Sequence, residues 1–183
     1  MPFVEEILKN NKTANLAKIG MLIGISAILV YLRVPYPPAG FLKYDAADVP
    51  IFITTFAFGP IVGLLSTVIV SIIQAFILGD DGIYGCLMHI FATGTYVIVA
   101  GTIYKCVKGR KTAIIGMFLA SLAMTAVMCL ANLWITPLFL GVPREAVMPM
   151  IIPIIMPFNL LKAGINSLIT FALYKRISPV LHR

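Results

Sequence analysis

The stretch MPMIIPIIMPFNLLKAGINSLITFALY, Met148 to Tyr174, is almost unbroken apolar sequence with a single cation, Lys162, near its middle. It is long enough to cross a hydrocarbon core, which takes about 20 apolar residues. An ammonium at that depth costs roughly 3 kcal/mol on insertion scales, so Lys162 is expected to face a partner or a wet cavity rather than lipid. Asn159 and Asn166 flank it at steps of three and four, on the same helical face. A polar substrate site inside a membrane protein is therefore the first expectation.

The rest of the chain agrees with a membrane setting. Of its 183 residues, 60% are apolar and 11% charged, against about 25% charged in soluble domains. Apolar windows predict helices near 14–33, 60–79, 84–106, 113–137 and 148–175, with a shorter one near 47–58. Turn chemistry separates them: Pro35-Tyr36-Pro37-Pro38 with Gly40, Gly59-Pro60, Gly79-Asp80-Asp81-Gly82, Lys108-Gly109-Arg110-Lys111 and Gly141-Val142-Pro143. No break is long enough to divide the chain, so 1–183 reads as one all-α integral membrane domain, a compact six-transmembrane-helix bundle. Glu5 and Glu6 and the length of the first apolar run argue against a cleaved secretory signal.

Charge placement supports six spans. With a cytoplasmic N-terminus, the inner segments hold Lys9, Lys12, Lys18, Lys105, Lys108, Arg110, Lys111, Lys175, Arg176 and Arg183, and the outer ones only Arg33, Lys43 and Arg144. That positive-inside bias disappears if one span is added or removed. Asp45, Asp48, Asp80, Asp81 and Glu145 then fall outside, and the net charge of +7 reads as a topology signal rather than a nucleic-acid patch.

Familiar catalytic signatures are missing. There is no phosphate-binding Gly-x-x-x-x-Gly-Lys-Ser/Thr loop, no His-Glu-x-x-His and no Gly-x-Ser-x-Gly. Cys86, Cys106 and Cys129 lack paired spacing, and His89 and His182 lie far apart, so neither a disulfide framework nor a metal site is expected. His89 reads as a hydrogen-bonded packing residue. An intramembrane enzyme using Lys162 and His89 would need a second titrating group, and no span offers a carboxylate at convincing depth. A structural membrane subunit with Lys162 paired for assembly is the other alternative; it predicts no saturable ligand.

Two helices carry polar stripes. Ser121, Thr125, Cys129, Asn132 and Thr136 share one face of the fifth; Asn159, Lys162, Asn166 and Thr170 share one face of the sixth. Such faces either line a common cavity or bond helix to helix. Pro149, Pro153 and Pro157 each remove a backbone donor, so the start of the last helix should be kinked or unwound, a state tolerated at membrane depth only beside protein or water. Pro35 to Pro50 reads as a long irregular outer loop placed to cover a cavity mouth, with Asp48 expected to cap the second helix, a role compatible with gating the site as well. In the first helix, Ala14, Ala17, Gly20, Gly24 and Ala27 form a smooth strip for internal packing or for a separate membrane subunit.

Three runs carry a resemblance: Phe41-Leu42-Lys43-Tyr44-Asp45-Ala46-Ala47-Asp48-Val49-Pro50, Phe58-Gly59-Pro60 and Asn159-Leu160-Leu161-Lys162-Ala163-Gly164. With them the chain resembles the substrate-capture subunits of energy-coupling-factor vitamin transporters, and within that family the riboflavin-specific members. The resemblance implies a six-helix bundle with an outward-facing pocket under the first loop. It implies that Asn132, Asn159 and Lys162 hydrogen-bond the vitamin and that Leu42, Lys43 and Tyr44 belong to the covering loop. It further implies that Ala17, Gly20 and Gly24 dock a transmembrane scaffold subunit joined to two ATPase subunits, in a prokaryotic plasma membrane with both termini cytoplasmic. Riboflavin would be the transported ligand, with no cofactor, catalytic residue or metal. Gly20-x-x-x-Gly24 replaces the family's usual Ala-x-x-x-Ala, and Ala47 stands where many members have Ser.

Riboflavin is neutral, with a flat ring edged by acceptors and donors and a chain of hydroxyls, which amides and one ammonium can satisfy between apolar walls. An anionic vitamin such as folate would call for more buried cations than Lys162 alone. Thiamine, being cationic, would be repelled by Lys162 unless an Asp compensated.

Overall fold

The computed structural model describes residues 2–77 and 81–181, with side chains described for 12–76, 81–177 and Leu181. Gly79, Asp80, His182 and Arg183, and the side chains of Glu5, Glu6 and Lys9, lie outside the described residues.

Helix α1 spans Pro2–Val30, α2 Asp48–Phe58 and α3 Pro60–Ile72, the last prolonged by a π-helical turn, Ile73–Ile77. Then follow α4 (Gly82–Cys106), α5 (Arg110–Leu140), a single turn α6 (Arg144–Val147) and α7 (Met156–Leu181). Four helical stretches are long and apolar enough to cross a membrane, and two shorter apolar helices, Asp48–Phe58 and Pro60–Phe76, complete the six. The expected helices are all present; boundaries move by a few residues, and α1 starts well before 14.

Pro35 to Pro50 is not the irregular loop expected from its prolines. Strands β1 (Val34–Tyr36) and β2 (Ala39–Tyr44) form an antiparallel hairpin turning at Pro37 and Pro38. Val34 faces Tyr44, Pro35 faces Lys43, and the register shifts before Tyr36 pairs with Ala39. Pro35 is tolerated because a two-stranded ribbon has only edges, where a missing N–H costs little. The hairpin packs Ala39 and Leu42 against Val147, Ile155 and Phe158, so it is anchored on the start of α7.

Helix α2 is the buried centre, with every side chain from Asp48 to Phe56 covered. Eleven residues rise about 16 Å, roughly half the hydrocarbon thickness. Its Phe52 ring stacks on Tyr96 of α4 at 3.7 Å between centroids. Gly59, at φ +99°, permits the sharp break into α3 that an L-residue with a side chain resists, and Pro60 opens α3 where its missing N–H is harmless. Helix α4 crosses this corner closely: a Cβ on Gly101 would sit 2.7 Å from Thr55 Cγ2 and 2.9 Å from Pro60 Cβ. Outward faces are apolar, with Ile61, Leu65, Phe118, Leu130 and Leu168 all exposed, as lipid requires.

The small-residue strip of α1 does not pack internally. Ala14, Ala17, Gly20 and Gly24 are exposed and Ala27 is half-buried; nothing approaches within 4 Å of a Cβ built on Gly20 or Gly24. The internal-packing alternative is thereby removed. Helix α1 is also the least covered of the four long helices.

Candidate functional site

The three prolines reshape the approach to α7. A 3-10 turn, Met148–Met150, and a π-helical turn, Ile151–Ile155, precede the regular helix, because each proline withholds an N–H from the ladder. Asn159 lies just past this irregular turn and donates from Nδ2 to the Ile155 carbonyl at 2.8 Å; its Oδ1 has no partner among the described residues. On α5, Asn132 Nδ2 donates to the Met128 carbonyl at 2.7 Å and Thr136 donates to Asn132 Oδ1 at 2.7 Å. Ser121 and Thr125 donate to carbonyls four residues back on their own helix, so neither of these bonds crosses between helices.

Asn132, Thr136, Asn159 and Lys162 converge on one cavity of about 770 Å³ of empty space, open mouth included. Its apolar walls come from Leu42 on β2, Met88 and Ala92 on α4, Met124 on α5 and Phe158 on α7. Lys43 lines it too. Tyr44 does not: its hydroxyl donates to Asn166 Oδ1 at 3.0 Å, beneath the hairpin. Burial pushes the Tyr44 phenol above its ordinary value, more than the nearby Lys162 charge draws it down, so the phenol stays a donor.

Lys162 does have carboxylate partners, contrary to the expectation that no acid reaches its depth. Its Nζ lies 3.3 Å from Asp45 Oδ2 and 3.5 Å from Asp48 Oδ2, and both acids are buried. The hairpin turns the chain inward, so these two residues enter the bundle instead of lying outside it. Asp48 is therefore no helix cap: Ala47 occupies the cap position with no side-chain bond. The Asp48 carboxylate instead lies 3.0 Å from His89 Nε2 and accepts from Thr93 Oγ1 at 2.7 Å and Asn166 Nδ2 at 3.2 Å. His89 Nδ1 meets Ser71 at 2.8 Å, so His89 is hydrogen-bonded within the packing but also touches the cavity. Asp45 accepts the Ala47 N–H at 3.1 Å, an Asx turn that fixes the corner into α2.

Nearer the mouth, the charges continue. Arg33 lies 3.7 Å from both Asp45 and Asp81, and Lys43 lies 3.1 Å from Asp81. Opposite charges thus alternate from the hairpin through Asp81 and Arg33 to Asp45, Lys162 and Asp48. Arg33, Asp81, Gln74 and Tyr84 line the cavity without having been singled out from sequence. Each sits at or near a turn, where a polar residue carries no signal of its own; only the hairpin and the π-helical end of α3 bring them together. Among the described residues no cluster suited to a metal ion occurs.

This geometry can be set beside known proteins. The profile of the family described as "ECF transporter, substrate-specific component" matches residues 14–174. The chain belongs to that family. This ECF substrate-specific component is 28% identical to "Riboflavin transporter RibU" of Staphylococcus aureus (strain TCH60) over 184 residues, 96% of either chain. To "Riboflavin transporter FmnP" of Bacillus subtilis (strain 168) it is 26% identical over 178 residues, covering 92% of this chain and 94% of that protein. A solved structure titled "Structure and mechanism of the S component of a bacterial ECF transporter" superposes with a TM-score of 0.82 at 26% identity, over 94% of this chain and 99% of that one. The ECF component's fold and membrane setting follow from these matches together with the apolar helices.

Proposed function

We propose that this chain is the membrane-embedded riboflavin-capturing subunit of an ATP-driven ECF uptake transporter. The observation that carries the reading is the cavity, where Asn132, Asn159 and Lys162 meet apolar walls from three helices and the hairpin. Relatives whose names specify riboflavin transport match over nearly the whole chain. An ammonium has three donors; Asp45 and Asp48 engage two directions and leave the third for a ligand carbonyl. Asn159 Oδ1 and the Asn132 amide supply an acceptor and an exchangeable pair for the edge of a flat ring, with Leu42, Met88 and Phe158 against its faces.

The charge of Lys162 is compensated, so repulsion by Lys162 no longer excludes a cationic vitamin. Selectivity for riboflavin over thiamine then rests on cavity shape and hydrogen bonds. Titrating the purified protein with each vitamin tests this directly: riboflavin saturates, with its intrinsic fluorescence quenched, and thiamine in large excess does not compete. Competition by thiamine at equal concentration would overturn the specificity.

The chain carries no phosphate loop, so ATP turnover falls to two ATPase subunits acting through a transmembrane scaffold subunit. The exposed face Ala17, Gly20 and Gly24 suits close approach of that scaffold. The basic ends of the helices support an orientation with both termini on the cytoplasmic side of the plasma membrane and the cavity mouth outward.

A further inference from the structure

A second opening lies at the end of the bundle remote from the cavity, where α4 ends, α5 begins and α7 nears its close. It holds about 1160 Å³ of empty space, mouth included, bounded by Tyr104, Lys108, Arg110, Phe171, Tyr174 and Lys175. Among the described residues, three cations line it and no carboxylate does. Lys108, Arg110 and Lys175 make no hydrogen bond or ion pair with another described residue. This contrasts with the cavity, where every lining cation faces an acid. Helix α5 also starts here without a side-chain cap, so its first N–H groups add partial positive charge at the same place.

Three clustered cations with no acid among the described residues beside them call for an anion, and the surroundings say which kind. The walls of the opening are apolar at Met117 and Phe171, and α5 continues outward through exposed Ile114, Ile115 and Phe118. Two tyrosines stand beside the lysines, the pairing of aromatic and basic residues found at a membrane–water boundary. We propose that this opening binds the phosphate headgroup of an anionic phospholipid, its glycerol and upper chains resting on Phe171 and Met117. A phosphate free in solution shares the charge chemistry but makes no use of the apolar wall. The site is separate from the cavity and stands whether or not that cavity takes riboflavin.

Thermal unfolding of the detergent-purified full chain tests this with three probes at matched ionic strength: dihexanoyl phosphatidylglycerol, dihexanoyl phosphatidylcholine and inorganic phosphate. The expected result is saturable stabilisation by phosphatidylglycerol alone. The triple variant Lys108→Gln/Arg110→Gln/Lys175→Gln should weaken that response by about tenfold or more. Lys105→Gln/Lys111→Gln/Arg176→Gln removes equal charge from exposed positions outside the opening and should retain it. Equal loss in both triples, an equal response to phosphatidylcholine, or the same saturable shift from inorganic phosphate would each overturn the proposal. If the first triple is not monodisperse, Arg110→Gln and Lys175→Gln singly carry the same comparison.

Discussion

Lys162 and Asp48 are chemically interdependent. Removing one member of a buried ion pair leaves the other uncompensated and typically costs about 3–5 kcal/mol. Asp48→Asn should therefore lower the unfolding temperature sharply, and Lys162→Met should do the same. Combining them should cost less than the sum, and additive losses in a double-mutant cycle would show the two groups to be independent. Asn159→Ala removes a side chain whose Oδ1 has no described partner, so it should weaken riboflavin binding by about tenfold with little change in thermal stability. An unchanged dissociation constant would remove Asn159 from the site. Much of this residue-scale picture was readable in advance, since Lys162, Asn132 and Asn159 stand out against apolar neighbours at helical spacing. Asp45 and Asp48 were not, because their partnership joins residues more than a hundred positions apart and an acid beside a turn ordinarily reads as surface or cap.

At the scale of elements, the irregular start of α7 sets where Asn159 and Lys162 point. Pro153→Ala restores an N–H inside the π-helical turn Ile151–Ile155 and favours a regular helix there. The variant should bind riboflavin more weakly without losing stability; unaltered affinity would show the irregular turn to be incidental. The α2–α3 corner is the tightest approach to α4, and Gly101→Val should destabilise by about 1–3 kcal/mol through overpacking, measured by thermal unfolding. The helices were legible because long apolar runs report themselves, and the disturbance in α7 because proline chemistry is local. The hairpin was not: its register depends on Pro35, Lys43 and Tyr44 meeting across a turn, and prolines in a short ribbon look in sequence like a loop.

For the whole molecule, the two ends differ in kind. One end holds the cavity, with its chain of alternating charges; the other holds cations without an acid partner among the described residues and the exposed thiol of Cys106. If the basic end is cytoplasmic, a membrane-impermeant maleimide should label Cys106 in inverted vesicles and not in intact cells, and the reverse pattern would invert the topology. Bundle, membrane setting and family were all accessible from composition, span count and three short runs. The depth of Asp45 and Asp48 needed the assembled fold. The central claim is that the cavity beneath the hairpin takes riboflavin, and titration of the purified chain with riboflavin, followed by quenching of flavin fluorescence, tests it most directly. The account predicts saturable one-to-one quenching that shifts to higher concentration in Asn159→Ala; absence of quenching by monodisperse protein would contradict it.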